Sequence, residues 1–151
     1  MKEIIVFELE AQRYGVEVKG LQGIENYMEP TTMADAPDHV LGIVNIRNMI
    51  YPVFNLASKF GFDNSPITEK TKMLILNTNG GPLACIVNDV AEMHVAKDED
   101  VQSVPQMLRT DKTRYAEYII RVEDNLVIVI DPDNLFDETE AEKIAQVADN
   151  I

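Results

Sequence analysis

Cysteine and basic residues are scarce in this sequence. It contains one cysteine, Cys85, and only 13 basic residues against 26 acidic ones, which gives a net charge of −13. A single cysteine excludes an intramolecular disulfide and a cysteine-based zinc site, and it is typical of a reducing cytosol. Nucleic acids and anionic membranes are bound through clustered Lys and Arg, and no basic patch is visible. The composition therefore predicts an acidic cytoplasmic protein that binds neither surface.

Long apolar runs are also missing. Segments such as 73–76 and 126–130 are far too short to cross a bilayer, and Glu3 and Glu8 interrupt the first residues where a secretory signal would be apolar. Of the 151 residues, 46% are hydrophobic, which is the range of an ordinary globular protein. We expect no membrane insertion and either one domain or two small lobes that share a core.

Signatures of catalysis are absent as well. The chain has no glycine-rich phosphate loop, no Gly-x-Ser-x-Gly and no His-Glu-x-x-His. His39 follows Asp35 and Asp38, but ligands this close in a loop rarely converge on a metal, and no fourth ligand is indicated. His94 lies in a predicted strand, and Cys85 occupies an inward strand position typical of a buried thiol. We expect no enzyme activity, no cofactor and no metal.

Alternating apolar and polar residues dominate the first 137 positions. Residues 4–10 and 14–18 alternate with the period of a strand and predict a hairpin. About ten such segments follow one another, with little helix before residue 137. Three local signals mark their ends, namely a helix cap at Asn55, a hairpin turn at Asn79-Gly80 and a cap at Asp131 before Pro132.

The two halves of the chain resemble each other. At an offset of 69, the apolar positions of 5–24 match those of 74–93, and at an offset of 76, those of 43–60 match those of 119–136. Five short strands with one apolar face bury that face by curling. We therefore predict an all-β fold of two small five-stranded β-barrel lobes side by side, about 4–61 and 73–137, with strand exchange between lobes left open. A groove would separate the lobes.

The tail, 138–151, has a helical pattern instead. Thr139 and Glu142 form a capping-box pattern. A C-terminal amphipathic helix is predicted, which packs either on the protein's own barrel or on a partner. Its expected apolar stripe consists of Ala141, Ile144, Ala145 and Ala148.

Within residues 3–137, the order of the segments resembles the CheW domain family. The stretch 36–56, APDHVLGIVNIRNMIYPVFNL, is similar to its central signature, in which Ala-Pro precedes a glycine, then Asn-Leu-Arg-Gly, then an apolar-Pro-Val strand ending in Asp-Leu. Upstream, Phe7-x-Leu9 and Tyr14-Gly15-Val16-x-Val18 match the family's opening hairpin. Downstream, 87–90 and 130–136 match its later segments.

This resemblance implies two five-stranded barrels around a groove, no catalysis and an adaptor role. Family members dock the regulatory domain of the chemotaxis histidine kinase and the helical hairpin tip of a chemoreceptor, which implies a cytoplasmic location at receptor arrays. An alternative is a binding module of the same fold that serves a different histidine-kinase pathway. The resemblance assigns no kinase-contact residues. The receptor-groove or signature positions that it implies are Leu21, Ile24, Asn45, Ile46, Arg47, Val87 and Val90. Alternatively, Leu21, Ile24, Val87 and Val90 are core residues and Arg47 is an ordinary charge at a hairpin tip.

The chain departs from the family pattern at several of these positions. Asn48 stands where the signature has glycine, although Asn tolerates the positive φ of a turn. The family's Val-x-Glu-Ile is here Leu21-Gln22-Gly23-Ile24, so the acid that accompanies Arg47 is missing, and Glu25 is the candidate substitute. Asn55 and Asn88 replace aspartates, and Ala34 replaces a proline.

Overall fold

The computed structural model describes residues 1–149, and most of its regular structure is β-strand. None of the helices in this range is long and apolar enough to cross a membrane. The 3-10 turns are Val18–Gly20, Asp98–Asp100, Gln106–Leu108, Asp111–Thr113 and Pro132–Asn134. The helices are α1 (Leu56–Lys59) and α2 (Glu138–Asp149), and the strands are β1 (Lys2–Leu9), β2 (Gln12–Glu17), β3 (Leu21–Asn26), β4 (Val40–Ile46), β5 (Met49–Phe54), β6 (Lys72–Thr78), β7 (Gly81–Val87), β8 (Asp89–Ala96), β9 (Val101–Gln102), β10 (Ala116–Val122) and β11 (Asn125–Ile130).

These strands form two sheets. The first has six strands in the order β8-β1-β2-β11-β10-β9, and the second has five in the order β3-β6-β7-β5-β4. Neighbours pair antiparallel except β2 with β11 and β5 with β7, which are parallel. The all-β class with a C-terminal helix is confirmed, with six and five strands in place of five and five. Positions 150 and 151 of the expected helix lie outside the described residues.

Strands are exchanged between the two halves of the chain. The first sheet takes residues 2–17 and 89–130, and the second takes residues 21–87, so the lobes do not follow the contiguous division 4–61 and 73–137. The internal similarity nevertheless reappears in space. An offset of 69 relates β1, β2 and β3 to β6, β7 and β8, and an offset of 76 relates β4 and β5 to β10 and β11. When equivalent strands are matched, the order β8-β1-β2-β11-β10 in the first sheet corresponds to the order β3-β6-β7-β5-β4 in the second.

Three apolar clusters fill the part of the protein that the structure describes. The shared core combines residues of both sheets, among them Phe7 and Ile130 from the first and Phe54 and Leu74 from the second. Each sheet also encloses a cluster of its own. Strands at the two ends of the first sheet, β8 and β9, contribute to a single cluster through Ala96 and Val101, so this sheet is curled. Because both faces of β1 are covered, Ile4 through Phe7 are all buried, where the alternation predicted one wet face.

Local caps and turns follow the sequence in part. The Asn55 side chain accepts a hydrogen bond from the Ser58 amide, and Asp131 accepts one from the Asp133 amide, as predicted. At Asn79-Gly80 the positive φ lies one residue later, at Gly81 with φ +97°. The hairpin predicted at Asn79-Gly80 is confirmed, because these two residues connect the antiparallel strands β6 and β7.

The C-terminal helix packs on the protein itself. Ile144 and Val147 are 2% and 5% exposed, and Ile144 belongs to the shared core. Ala148 is exposed, so the buried stripe runs through Val147 instead. The capping box also lies two residues earlier than predicted. The Glu140 amide donates to Asp137 Oδ1 at 2.7 Å, and the Asp137 amide donates to Glu140 Oε1 at 3.2 Å.

The thiol of Cys85 is expected to react only when the protein unfolds. Its side chain is fully buried in the shared core, and this burial raises the pKa of the thiol to about 12. Since the thiolate is the reactive form, labelling by a thiol reagent should follow global unfolding across a urea series. Rapid labelling without urea would contradict this placement. Cys85→Ser should cost about 1–3 kcal/mol if the hydroxyl has no partner there.

Candidate functional site

The signature residues lie at the turn between β4 and β5. Arg47 and Asn48 both have positive φ, +51° and +67°, which is the geometry of a two-residue hairpin turn. The Asn48 amide donates to Asn45 Oδ1 at 3.1 Å and fixes the turn from inside. The expectation that Asn48 takes the positive-φ place of the signature glycine is therefore confirmed. Asn45 and Arg47 are exposed, so this turn presents polar groups to solvent.

Glu25 supplies the acidic partner of Arg47 that is missing from its usual position in the family pattern. Arg47 Nη1 lies 2.5 Å from Glu25 Oε1, and Nη2 lies 3.4 Å from Oε2. Glu25 is on β3 and Arg47 follows β4, the two strands at opposite ends of the second sheet. The pair therefore bridges the ends of the curled sheet, with the carboxylate 17% and the guanidinium 78% exposed. A paired arrangement of this kind gives both strength and a fixed geometry.

Reversing Arg47 is expected to cost only modest stability. Arg47→Glu places a second carboxylate next to Glu25, where the two ends of the curled sheet meet. Because the side chain at position 47 is open to solvent, the free energy of unfolding should fall by about 1 kcal/mol or less. The exchanged double variant, with Glu25→Arg and Arg47→Glu, should recover part of that loss. A double-mutant cycle of urea unfolding measures the coupling between the two residues. Additive losses would show that the pair does not hold the sheet closed.

The apolar positions of β3 are brought to one face by a bulge. Leu21 pairs with Leu76 and Ile24 pairs with Leu74, with a register shift between Leu21 and Gly23. Because Leu74 and Leu76 point into the shared core, both β3 side chains lie on that face of the sheet. Leu21 is partly buried against the core, whereas Ile24 is 40% exposed. Ile24 therefore presents apolar surface at the rim between the two sheets.

The matching strand of the other half has the same design. Val90 on β8 is paired with Phe7 and is partly buried against the shared core. Met93 is paired with Ile5, also a core residue, and is 55% exposed. Sequence reasoning did not select Met93 as a site residue. The signal for it was present, since the offset of 69 aligns Met93 with Ile24.

Two expected site residues are buried instead. Val87 is fully enclosed in the shared core, and Ile46 is 7% exposed in the cluster of the second sheet. Neither can line a surface in this structure, because their apolar faces already have partners within the fold.

We name the exposed and partly exposed apolar side chains of β3 and β8 the rim. Its members are Leu21, Ile24, Val90, Met93 and Val95.

Asn88 ties the β7–β8 connection to the first hairpin. Its Oδ1 accepts the Glu10 amide at 2.7 Å, and its amide nitrogen lies 3.4 Å from Glu10 Oε1. The same carboxylate accepts hydrogen bonds from the Ser65 amide and hydroxyl. Burial opposes ionisation of Glu10, but the hydrogen bonds from Ser65 and Asn88 outweigh it and lower its pKa. An aspartate at 88 would face this carboxylate, so the amide suits the neighbourhood.

A second exposed apolar group lies on the loop after β9. Met107 is 95% and Leu108 58% exposed, although internal hydrogen bonds order this loop. Thr113 Oγ1 donates to the Leu108 carbonyl at 2.6 Å, and Arg109 Nε donates to the Val104 carbonyl at 3.1 Å. Residues 106–114 carry three basic side chains and one acidic one, in a chain of net charge −13. This part of the loop is therefore locally basic. Sequence patterning missed this apolar tip because an isolated Met-Leu has no period.

His39 has structural surroundings. His39 Nδ1 lies 2.6 Å from Ser58 Oγ, and its ring packs edge-on against Phe54. Its backbone carbonyl accepts the Asn55 amide at 2.8 Å, which joins the loop before β4 to α1. Across residues 1–149, no three His, Cys, Asp or Glu side chains are grouped so that they could hold a metal ion.

Two curled sheets joined by a shared core, with apolar side chains at their rim, define a two-lobed β-protein. The family model of the CheW-like domain matches residues 3–140, and this chain belongs to that family.

Relatives support the assignment over nearly the full length. The chain is 28% identical to the chemotaxis protein CheW of Treponema pallidum, over 96% of this chain and 88% of the relative. It is 25% identical to CheW of Klebsiella aerogenes, over 97% and 89%. The crystal structure of the scaffolding protein TtCheW from Thermoanaerobacter tengcongensis superposes with a TM-score of 0.81 at 25% identity, over 92% of this chain and 94% of that one. The chain is therefore a member of a scaffold family and not an enzyme.

Proposed function

We propose that this protein is a non-catalytic adaptor that couples chemoreceptors to the chemotaxis histidine kinase in the cytoplasm, at receptor arrays. The observation that carries the proposal is the rim, an exposed apolar set on two equivalent strands above a shared core. The names of the relatives, chemotaxis protein CheW, favour the same pathway. An adaptor of this kind acts by geometry, since it holds two partners side by side and makes or breaks no bond.

The rim is the surface that we assign to the receptor tip. A helical hairpin presents apolar side chains at i, i+3 and i+4, and such a stripe fits a shallow apolar groove between sheets. Ile24 and Met93 supply exposed apolar area on β3 and β8, and the Arg47–Glu25 pair holds the curled second sheet that carries β3. Leu21 and Val90 would form the floor, and Val87 supports it from below.

The loop of Met107 and Leu108 is the surface that we assign to the regulatory domain of the kinase. A hydrogen-bonded loop with an almost fully exposed methionine offers adaptable apolar surface for a partner to bury. The surrounding Arg109, Lys112 and Arg114 would steer an acidic partner surface despite the acidic protein as a whole.

The second candidate function is that of a binding module of the same fold that serves a different histidine kinase. It is favoured by the departures from the family signature, above all the move of the acid from position 23 to Glu25. The two candidates differ in their partner and not in their mechanism. Binding to purified chemotaxis kinase regulatory domain therefore separates them.

Co-elution of the purified protein with each partner tests the proposal. We expect micromolar binding to the kinase regulatory domain and to a receptor-tip hairpin, with Met107→Asp weakening only the first by about tenfold or more. Leu126→Asp makes the same apolar-to-aspartate change outside the loop, at a side chain that is 61% exposed, and should leave kinase binding intact. Absence of kinase binding at micromolar concentrations would favour the second candidate. Equal binding by Met107→Asp would remove the loop from the interface.

A further inference from the structure

The turn between β6 and β7 lies directly beneath the C-terminal helix. Gly80 is buried there, and a Cβ atom at this position would lie 3.2 Å from Ile144 Cγ2 and 3.5 Å from Phe136 Cδ2. The preceding residue, Asn79, is exposed, and its amide nitrogen donates to the Phe136 carbonyl at 2.6 Å. The helix therefore packs on an Asn-Gly dipeptide and depends on its geometry.

An asparagine followed by glycine is chemically labile. Glycine has no side chain that would hinder its own amide nitrogen, so this nitrogen can attack the Cγ atom of the asparagine. We propose that Asn79 is a site of spontaneous deamidation and that docked α2 keeps this site closed. Gly80 N loses its proton and forms a bond to Asn79 Cγ, the bond from Cγ to Nδ2 breaks, and ammonia leaves. Water then opens the succinimide to aspartate or isoaspartate, so no oxidant or reductant is needed.

Two hydrogen bonds oppose this attack in the docked state, and a third orients the acceptor of one of them. The Gly80 amide donates to Thr78 Oγ1 at 3.0 Å, and Thr78 Oγ1 donates to the Gly81 carbonyl at 2.7 Å. The Asn79 amide is held by Phe136, the last residue but one before α2. The nucleophile and the electrophile are thus each bound to a different partner. Reaction requires that the turn leave Phe136, which also releases the start of the helix.

The product cannot restore the docked state. A carboxylate at 79 only accepts hydrogen bonds, so it would repel the Phe136 carbonyl to which the amide now donates. An isoaspartate lengthens the backbone of the turn by one atom and displaces Gly80 from Ile144. Deamidation therefore follows a release of α2 and is irreversible. Afterwards, the contacts of the turn with Phe136 and Ile144 are weakened, so α2 is held less firmly.

Mass spectrometry of the whole protein during incubation at neutral pH tests the proposal. Conversion at Asn79 should be at least about tenfold slower in the native protein than in guanidinium chloride, because two hydrogen bonds and the helix must first be lost. Ile144→Ala should speed native conversion, and so should Thr78→Val, whereas Thr78→Ser and the exposed helix change Glu142→Ala should not. Equal rates in native and unfolded protein would overturn the proposal, as would native rates that none of these variants changes.

The product itself gives a second measurement that does not depend on rates. Asn79→Asp should raise hydrogen exchange of the α2 amides by about tenfold or more, relative to unchanged protein. Asn125→Asp, at the first residue of β11, is the matched control and should leave α2 protected. Unchanged exchange in Asn79→Asp would show that deamidation does not release the helix.

Discussion

Replacing Gly42 by alanine is expected to lower the free energy of unfolding by roughly 2–6 kcal/mol. Gly42 has φ +151°, a region that is nearly closed to residues with a side chain. The new Cβ atom would also lie 2.0 Å from the Thr31 carbonyl oxygen and 2.7 Å from its carbon. Both are backbone atoms, and Thr31 is fixed by two hydrogen bonds of 2.9 Å to Ile43. Relief of the clash therefore breaks the bridge that ties the preceding loop to β4.

Urea unfolding of Gly42→Ala beside Gly23→Ala isolates this effect. At Gly23 an added Cβ atom meets only Glu25 Oε1, at 3.8 Å, and the residue does not have positive φ. The control variant should therefore unfold close to the unchanged midpoint, while Gly42→Ala unfolds at much lower urea with a similar slope. Equal midpoints for the two variants would contradict the close approach of Thr31 to β4.

The sequence predicted features that depend on neighbouring residues. The positive φ at Asn48 and the caps at Asn55 and Asp131 follow from the local chemistry of short polar side chains, and the structure confirms them. The alternation of apolar residues predicted most strands for the same reason. Gly42 could be identified from the sequence as a signature position. The steric reason for a glycine there, which is the close approach of Thr31, could not be predicted, because Thr31 lies in a segment without periodicity.

Strand exchange could not be derived from those local patterns. The parallel pair of β2 and β11 joins Tyr14 to Ile128, and no pattern within either strand specifies a partner so distant in sequence. The offsets of 69 and 76 indicated which segments are equivalent, but equivalence does not say which of them pair. That choice depends on the shared core, which combines residues from both sheets.

The sequence pattern left burial at the candidate site open where a strand has two covered faces. Alternation distinguishes one face from the other, yet in the second sheet Val87 points into the shared core and Ile46 into the sheet's own cluster. An apolar residue on either face is then buried, and only strand ends and rims remain open. Ile24 and Met93 are exposed because β3 and β8 stand at the ends of their sheets.

The proposed receptor surface should be most sensitive at Ile24. Ile24→Asp is expected to weaken binding of a receptor-tip hairpin by about tenfold or more, because a charge replaces exposed apolar area where the partner would exclude water. The side chain is 40% exposed, so the carboxylate reaches solvent in the free protein and the fold should be retained. Binding of the kinase regulatory domain should stay unchanged, since the loop of Met107 is untouched.

Leu126→Asp provides the matched control for this result. Leu126 is 61% exposed at the start of β11, so it is an apolar residue of similar size outside the rim. Calorimetric titration of the hairpin into both variants, with circular dichroism of each, separates loss of contact from loss of fold. Met93→Asp should reproduce the Ile24→Asp loss, because the two side chains occupy equivalent positions on β8 and β3. Receptor-tip affinity unchanged in both rim variants would place the receptor elsewhere on the molecule.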